Sequence, residues 1–555
     1  MKQFSSKRSI QILAHLLKEY GIKNIVISPG SRNAPMSIHF SETEEFNCYS
    51  IVDERSAGFV GLGMAKSEKM PVALSCTSGS ASVNYYPAIA EAFYQNVPLL
   101  ILTADRPTDF VDIFDGQTIR QHEVFQKHSY GDFQLQEDDK DGAEDYNFET
   151  VKKAIELCIE KQGPVHINIP LTEPLYDLVT EIPTFPSVEK TIQKKKYDIP
   201  SQMIAEWNLS KRILILCGTR DYSEELEMQL SQIVKNHSAV VLTEANSNLN
   251  NEKFFSHIDR YVFNFSDEDY RTFAPDLLIT VGQNVVSKKI KQFLRKAHPK
   301  NHWHIDEVWH PDTFFSLTEK VATSAETFFG KLLKQIKLEP NPYYNLWDSL
   351  RGKRDVKHDE YCVSAPFSDF KVFEILSHKL PENINLHVSN SSAIRYTQLF
   401  DFSKHRVYCN RGTSGIDGAT STAMGYAMKS PNQTVLVTGE LGFFYDINGL
   451  WNNYIPPYTR IIVFNNGGGD IFKIIPGPNK TNALEEFIQT KHQRSAELLA
   501  KNFGFSYTKV DDEDTLSRVL DNFFKPDTKP KLLEICTMEI ENSEVLKKYF
   551  DYLRA

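Results

Sequence analysis

Residues 434–469 read TVLVTGELGFFYDINGLWNNYIPPYTRIIVFNNGGG. Two short apolar runs, 435–437 and 461–464, each lead into a turn that is rich in glycine or asparagine. Continuous apolar runs of this length are typical of strands in a parallel sheet that is covered by helices on both faces. Because ligands bind beyond the carboxyl ends of such strands, we expect both turns to lie at a functional site.

The two turns carry oxygen ligands that suit a hard cation. Glu440 follows the first run, and Asn466 and Gly468 follow the second. Mg²⁺ prefers carboxylate, carboxamide and carbonyl oxygens, and phosphates commonly complete its octahedron. Glycines such as Gly439 and Gly468 also let a backbone approach a diphosphate closely. An ordinary pair of strand–helix turns has the same composition, so the spacing alone leaves that alternative open.

The alternation of apolar run, turn and helical segment recurs along the whole chain. The other apolar runs include 24–27, 72–74, 99–102, 213–216, 240–242, 277–279 and 386–388. Two proline-containing stretches, 181–200 and 338–359, are predicted to be linkers. We therefore predict an α/β protein of three Rossmann-like, doubly wound parallel-sheet domains at residues 1–182, 200–338 and 360–555.

Composition excludes several classes of protein. The chain has 555 residues, 41% of them hydrophobic and 24% charged, which is typical of a folded globular protein. A net charge of −10 argues against general nucleic-acid binding. No apolar run is long enough to span a membrane, and the N-terminus does not resemble a signal peptide. Seven scattered cysteines without a CxxC pair favour a reducing compartment, so we expect a cytoplasmic protein.

Glu54 is a candidate functional carboxylate in the first domain. It falls where a predicted strand gives way to a helix that begins near residue 57. Helix N-termini favour acidic side chains, so a capping role alone would also explain this residue.

Together these features resemble the thiamine diphosphate-dependent enzymes of the pyruvate decarboxylase and acetolactate synthase family. That family has three α/β domains, a Gly-Asp-Gly turn followed by Asn-Asn, and one glutamate in the first domain. Further stretches are similar to its menaquinone-biosynthesis branch, which decarboxylates 2-oxoglutarate and adds the succinyl unit to isochorismate in a 1,4 sense. Those stretches are SPGSRN at 28–33, DER at 53–55, TADRP at 103–107, QTIRQ at 117–121 and RGTSGIDG at 411–418.

The resemblance implies thiamine diphosphate and Mg²⁺ as cofactors. Glu440, Asn466 and the carbonyl of Gly468 match the metal ligands, but the family has aspartate where this chain has Glu440, so Mn²⁺ or Ca²⁺ is an alternative. Glu54 would hydrogen-bond the aminopyrimidine of a cofactor bound by the other subunit, which implies a homodimer or homotetramer with interfacial active sites. The positions that match cofactor-binding residues are Glu54, Ser391, Arg411, Ile416, Gly439, Gly468, Ile471 and Phe472.

The resemblance also implies a basic substrate site, since both substrates are dianions. Arginine suits such ligands because its planar fork pairs two carboxylate oxygens at once. The residues matched to isochorismate are Arg32, Arg106, Lys288 and Lys289, and those matched to 2-oxoglutarate are Ser391, Arg395 and Arg411. Gln117 would orient either the attacking enol or the acceptor ring. Ile475 would complete an apolar wall that core packing could equally explain. The catalytic candidates are Glu54, Gln117 and Arg395.

Three other functions stay open at this point. An acetolactate synthase-like enzyme would use two small 2-oxoacids, for which so many cations would be excessive. A non-catalytic thiamine diphosphate-binding protein is favoured only by Glu440. A nicotinamide or flavin enzyme is disfavoured because the turns at 217–220 and 282–284 lack the GxGxxG pattern. The histidines at 302, 304 and 310 are expected to pack rather than bind a metal.

Overall fold

The structure is a computed structural model that describes residues 2–189, 197–474, 481–538 and 540–554. Three parallel sheets of six, five and six strands follow one another along the chain. This confirms the predicted α/β class. We call the parts of the chain around these sheets the first, second and third domains.

The first domain begins with a two-strand ribbon in which β1 (Phe4–Ser5) pairs antiparallel with β8 (Leu178–Val179). Its main sheet has the order β3-β2-β4-β5-β7-β6. These strands are β2 Asn24–Ile27, β3 Asn47–Ser50, β4 Val72–Cys76, β5 Leu99–Asp105, β6 Asp132–Gln134 and β7 Val165–Pro170. The helices are α1 Arg8–Glu19, α2 Ala34–Glu42, α3 Glu54–Glu68, α4 Ser80–Asn84, α5 Tyr86–Gln95 and α6 Ala143–Lys161. All seven residues of β5 are buried, as expected for a central strand covered on both faces.

The second domain has a five-stranded sheet with the order β10-β9-β11-β12-β13. Its strands are β9 Ile213–Cys217, β10 Val240–Thr243, β11 Leu277–Val281, β12 Asn301–Ile305 and β13 Glu319–Val321. Its helices are α7 Ser201–Leu209, α8 Glu224–Lys235, α9 Ile258–Val262, α10 Asp267–Thr272, α11 Lys288–Ala297 and α12 Ala325–Leu332. His302 and His304 share hydrogen bonds with the hydroxyl of Thr280 inside this domain, so they pack as the sequence predicts.

The stretch 338–359, predicted as a linker, is mostly helical. Helix α13 (Pro342–Ser364) begins with proline in its first turn, where the missing N–H costs nothing. Trp347 on its first half is buried in the core of the second domain, and Cys362 on its second half lies in the core of the third. The prolines and mixed charges therefore mark a helix that joins two cores rather than a loop.

The third domain has a six-stranded sheet with the order β15-β14-β16-β17-β19-β18. Its strands are β14 Asn385–Val388, β15 Arg406–Tyr408, β16 Thr434–Gly439, β17 Arg460–Asn465, β18 Ser506–Val510 and β19 Lys531–Cys536. Its helices are α14 Asp369–Lys379, α15 Ser392–Thr397, α16 Ala419–Ala427, α17 Glu440–Tyr445, α18 Ile471–Ile474, α19 Glu497–Asn502, α20 Glu513–Phe523 and α21 Asn542–Arg554. Numbered within each sheet, the first and third domains have the same strand order, 2-1-3-4-6-5.

Helices α3 and α16 join the first domain to the third at very short range. A Cβ placed on Gly63 would lie 2.0 Å from the carbonyl oxygen of Thr422, and one on Gly425 would lie 2.0 Å from that of Val60. Glycine at both positions lets the two helix backbones touch. This contact fixes α3, whose first residue is Glu54, against the third domain. Among the described helices, none combines the length and apolar composition that crossing a membrane requires.

Candidate active site

The turns that follow β16 and β17 meet at the carboxyl edge of the third sheet. Glu440 is the first residue of α17, directly after β16, and its side chain is buried. Its Oε1 accepts a 2.7 Å hydrogen bond from the backbone N–H of Gly468 and lies 3.4 Å from Nε2 of His492. Burial raises the pKa of Glu440, and the neighbouring imidazole opposes that rise. The carboxylate is therefore placed against the Asn-Asn-Gly turn.

Asn466 presents an amide oxygen that nothing in the described chain satisfies. Its Nδ2 donates a 3.0 Å hydrogen bond to Oδ2 of Asp369, while its Oδ1 is buried without a partner. Asp369 is itself held by Thr537, whose hydroxyl donates to Oδ1 at 2.7 Å, and burial raises the pKa of this carboxyl to about 7. A buried oxygen without a hydrogen bond is costly, so a group that binds it is expected.

These residues fit a hard cation bound together with a diphosphate. In the described ranges, no cluster of three or more His, Cys, Asp and Glu side chains could hold a metal. The donors here are instead a carboxylate, a carboxamide oxygen and the backbone of Gly468, an oxygen set that suits Mg²⁺. A Cβ placed on Gly439 would meet no heavy atom within 4 Å, which leaves room beside Glu440.

Glu54 begins α3 beside residues that contact the third domain. The Asp53 side chain caps α3 by accepting from the N–H of Ser56 at 3.1 Å, and it accepts a 2.7 Å hydrogen bond from Nδ2 of Asn448. Arg55 donates to the carbonyl oxygen of Tyr445 at 2.8 Å. Glu54 is half-buried, and within the described chain its side chain has no hydrogen bond to another residue. Burial, and to a lesser degree Asp53, raises the pKa of Glu54, which suits a group that shares a proton.

Arg395 and Arg411 form a cationic pair at the ends of the first two strands of the third sheet. Arg395 donates to the carbonyl oxygen of Ser391 at 2.7 Å, and Arg411 donates to Oδ1 of Asn390 at 2.8 Å. The Nε of Arg411 is buried and has no partner among the described residues. Burial, followed by repulsion from Arg411, lowers the pKa of Arg395. Two crowded guanidinium groups with a spare donor are suited to binding a carboxylate.

The lysines of α11 belong to the same group of charges. Burial raises the pKa of Asp259, while a hydrogen bond from Ser287 and then the charges of Arg395 and Lys289 act against that rise. Lys291, which the sequence analysis missed, donates to Oδ1 of Asn284 at 3.2 Å. Its spacing of one helical turn from Lys288 was an available signal. The charges of Lys289 and Arg395 thus act on the same carboxyl group, although the resemblance assigned the two residues to different substrates.

Arg32, Arg106 and Gln117 lie at the carboxyl edge of the first sheet. Arg32 is buried, with its Nη2 3.0 Å from Glu173, while Arg106 pairs with Asp115 at 3.0 Å. Gln117 has a φ of 59° and donates to the carbonyl oxygen of Ser78 at 3.2 Å. All three side chains are thus held by contacts within their own domain.

The apolar candidates lie around the third-domain turns. Ile416 is 42% exposed, whereas Ile471 is buried at the start of α18. The ring of Phe472 lies 3.1 Å from a Cβ placed on Gly469. Ile475 lies outside the described residues. Three further residues missed by the sequence analysis are Asp369, His492 and Glu91, which carry no motif that marks them.

A cavity of about 340 Å³ opens where the three domains meet. Lys66, Arg220 and Tyr408 line it, one from each domain. None of the predicted site residues contributes to its wall. The predicted site therefore does not coincide with this cavity.

Comparison with known proteins identifies the family. Residues 8–133 match the family model described as the N-terminal TPP binding domain of thiamine pyrophosphate enzymes. Proteins of Flavobacterium johnsoniae and Flavobacterium psychrophilum, each named 2-succinyl-5-enolpyruvyl-6-hydroxy-3-cyclohexene-1-carboxylate synthase, are both 44% identical, over 98% of this chain and 98% of their own. The chain belongs to this synthase family. A protein of the same name from Porphyromonas gingivalis is 37% identical over 99% of this chain and 98% of its own.

Membership of the synthase family confirms the resemblance carried by the sequence motifs and identifies the chain as an enzyme. The matching N-terminal model supports thiamine diphosphate as the cofactor. The crystal structure of benzoylformate decarboxylase from Polynucleobacter necessarius matches with a TM-score of 0.69 over 96% of this chain and 99% of that chain. At 14% identity, this likeness shows a shared fold.

Proposed function

We propose that this enzyme decarboxylates 2-oxoglutarate and adds the succinyl unit to isochorismate in a 1,4 sense. The products are CO₂ and 2-succinyl-5-enolpyruvyl-6-hydroxy-3-cyclohexene-1-carboxylate, in menaquinone biosynthesis. The name of the Flavobacterium relatives supports this product. The observation that carries the proposal is the Arg395–Arg411 pair: the buried Nε of Arg411 has no partner in the described part of the chain, which suits a dianionic substrate in an acidic protein.

The third domain supplies the ligands for the cofactor's diphosphate and its metal. Glu440, Asn466 and the carbonyl of Gly468 would bind Mg²⁺, with Gly439 leaving room beside them. The unpartnered Oδ1 of Asn466 supports this role. When bound, thiamine diphosphate supplies an electron sink for the negative charge that loss of CO₂ leaves.

The protein's own side chains then hold a proton, orient the substrates and exclude water. Glu54 would hydrogen-bond a ring nitrogen of the aminopyrimidine, and its raised pKa suits a carboxyl group that exchanges a proton there. Arg395 and Arg411 orient the carboxylates of 2-oxoglutarate. Ile416 and Phe472 provide an apolar wall that keeps water from the reacting carbon.

The group at the edge of the first sheet would bind isochorismate. Arg32 and Arg106 supply two cations there, and Gln117 supplies an amide that orients the acceptor. Lys288 and Lys289 of the second domain would add positive charge: Lys289 acts on Asp259 together with Arg395, and Lys288 acts on Lys291 together with Arg411.

A homodimer or homotetramer would complete the site. In such an assembly, Glu54 would serve a cofactor that Glu440, Asn466 and Gly468 of the second copy hold. Large apolar side chains are also exposed on the first and third domains, including Ile113 and Phe114 in one and Trp451 in the other. Exposed apolar side chains of this kind are commonly covered by a partner.

The deciding assay follows CO₂ release and isochorismate loss together, with thiamine diphosphate, Mg²⁺ and 2-oxoglutarate. We expect both signals to require the cofactor and to collapse in Glu54→Gln. Release of CO₂ without loss of isochorismate would assign a different acceptor. Turnover of pyruvate alone would assign an acetolactate synthase-like activity. Cofactor binding without either signal would identify a non-catalytic member of the family.

A further inference from the structure

Glu91 is a buried carboxylate of the first domain that bonds to the third. It lies on α5 and is 1% exposed. Its Oε1 accepts a 2.7 Å hydrogen bond from the N–H of Gly412. Its Oε2 accepts from the N–H of Thr413 at 2.6 Å and from the hydroxyl of Thr413 at 2.5 Å. One side chain thus binds two consecutive backbone amides of another domain.

No cation neutralises Glu91 directly. In the described chain it forms no ion pair with a lysine, arginine or histidine. Its fourth donor is the side-chain amide of Gln95, one helical turn away, whose own oxygen accepts from Nζ of Lys66 at 2.6 Å. Burying an ionised carboxylate is costly unless hydrogen bonds replace its water. Here the backbone of residues 412–413 supplies half of that compensation, so the carboxylate and this stretch of backbone fix each other.

The approach is too close for any residue but glycine at 412. A Cβ placed on Gly412 would lie 2.7 Å from the carbonyl oxygen of Glu91 and 3.1 Å from its carboxyl group. Glycine at 412 therefore allows the hydrogen bonds between the Glu91 carboxylate and residues 412–413 to form. The contact is a specific fit between α5 and this turn.

The anchored turn belongs to residues 411–418, which we call the 411–418 segment. This segment carries Arg411 and Ile416, both assigned above to the active site. Asn390 holds it from inside the third domain, donating to the carbonyl oxygens of Asn410 at 2.6 Å and Gly415 at 2.8 Å and accepting from Arg411 at 2.8 Å. Glu91 is the matching support from the first domain, at the two residues that follow Arg411.

We propose that Glu91 is a positioning residue that fixes Arg411 for binding of 2-oxoglutarate, an inference that rests on the function proposed above. Glu91 touches neither substrate nor cofactor in this role. Loosening the 411–418 segment would misplace the guanidinium group. A misplacement of about 1 Å can cost about 10²-fold in rate, even when the substitution lies away from the chemistry.

The test compares Glu91→Gln with Thr413→Val in the full-length enzyme. Glutamine keeps the size of the side chain but offers one acceptor oxygen and an NH₂ group, so one of the two backbone N–H groups loses its partner. Thr413→Val removes only the hydroxyl contact and leaves both backbone contacts in place. Three quantities are measured for each variant: KM for each substrate, the melting temperature, and hydrogen exchange of the 411–418 amides.

We expect Glu91→Gln to raise KM for 2-oxoglutarate about 10- to 100-fold, leave KM for isochorismate unchanged, and speed exchange of the 411–418 amides. Thr413→Val should move neither KM. The proposal is overturned if KM for 2-oxoglutarate does not change. It is also overturned if kcat and the melting temperature fall and both KM values rise, since that pattern would indicate a general structural defect.

Failure of the proposed function is distinguishable from failure of this inference. If the wild-type enzyme releases no CO₂ from 2-oxoglutarate, the function is wrong. The same hydrogen-exchange measurement then tests whether Glu91 holds the 411–418 segment. Unchanged protection of the 411–418 amides in Glu91→Gln would show that it does not.

Discussion

Asp369 holds the amide of Asn466 by a 3.0 Å hydrogen bond from Nδ2, and the Oδ1 of the same amide is buried without a partner in the described chain. Because Asp369 accepts from the NH₂ group of Asn466, it fixes the orientation of the amide and leaves the oxygen available to a ligand. Support of this kind commonly decides how well a metal ligand is oriented.

Asp369→Ala should weaken Mg²⁺ binding by about 10- to 100-fold, because Asn466 would lose the contact that orients its oxygen. Calorimetric titration of Mg²⁺ in the presence of thiamine diphosphate measures this directly. Asp369→Asn is the matched control: its oxygen can still accept from Asn466, and Thr537 can turn its hydroxyl to accept from the new NH₂ group. Equal Mg²⁺ affinity in the wild type and Asp369→Ala would remove Asp369 from this role.

Glu54→Gln should lower kcat/KM by about 10²- to 10⁴-fold, the range typical of losing a general acid–base group. The variant should remain folded. Because burial raises the pKa of Glu54, the folded state favours the neutral carboxyl, and neutral glutamine resembles it. The melting temperature at pH 8 should therefore be no lower than that of the wild type. Retention of full kcat/KM would refute the catalytic assignment.

Gly63→Ala should destabilise the contact between α3 and α16, since the new Cβ would lie 2.0 Å from the carbonyl oxygen of Thr422. Overpacking of this kind typically costs about 1–3 kcal/mol. Gly352→Ala is the control, because it lies within α13 and a Cβ there would meet no heavy atom within 4 Å. That control should raise stability slightly, by about 0.5–1 kcal/mol. Thermal unfolding measures the stability of both variants. A Gly63→Ala protein that is more stable than Gly352→Ala would contradict this account.

Asp446→Asn should flatten the pH dependence of stability. Asp446 is buried, accepts from the N–H and hydroxyl of Ser421 at 2.7 and 2.8 Å, and has its pKa raised by burial to about 7. An unfolded aspartate has a pKa of about 4, so the folded state binds this proton more tightly. That contribution is fully present below about pH 4 and is lost as the pH rises through 7. Melting temperatures at pH 5 and pH 8 should therefore differ less in Asp446→Asn; an equal or larger difference would contradict the assignment.

The sequence predicted the fold class because each strand and turn is encoded by residues that are close together in the chain. The apolar runs at 435–437 and 461–464 identified parallel strands, and the turns after them identified where Glu440 and Gly468 would come together. Glu91 and Asp369 escaped prediction for a physical reason. Each lies on a helix and acts on a residue far away in sequence, so its importance depends on how elements dock. The same limit applies to Lys289, whose grouping with Arg395 depends on where the second domain sits against the third.

The shared strand order of the two terminal sheets gives the α3–α16 contact a further meaning. Each helix follows the second strand of its own sheet, so the two helices are equivalent elements of the same architecture. Each also contributes a glycine at which it meets the backbone of the other. The contact therefore has the form of an interface between two like units enclosed within a single chain, with Glu54 at the start of one helix and the proposed metal ligands in the domain of the other.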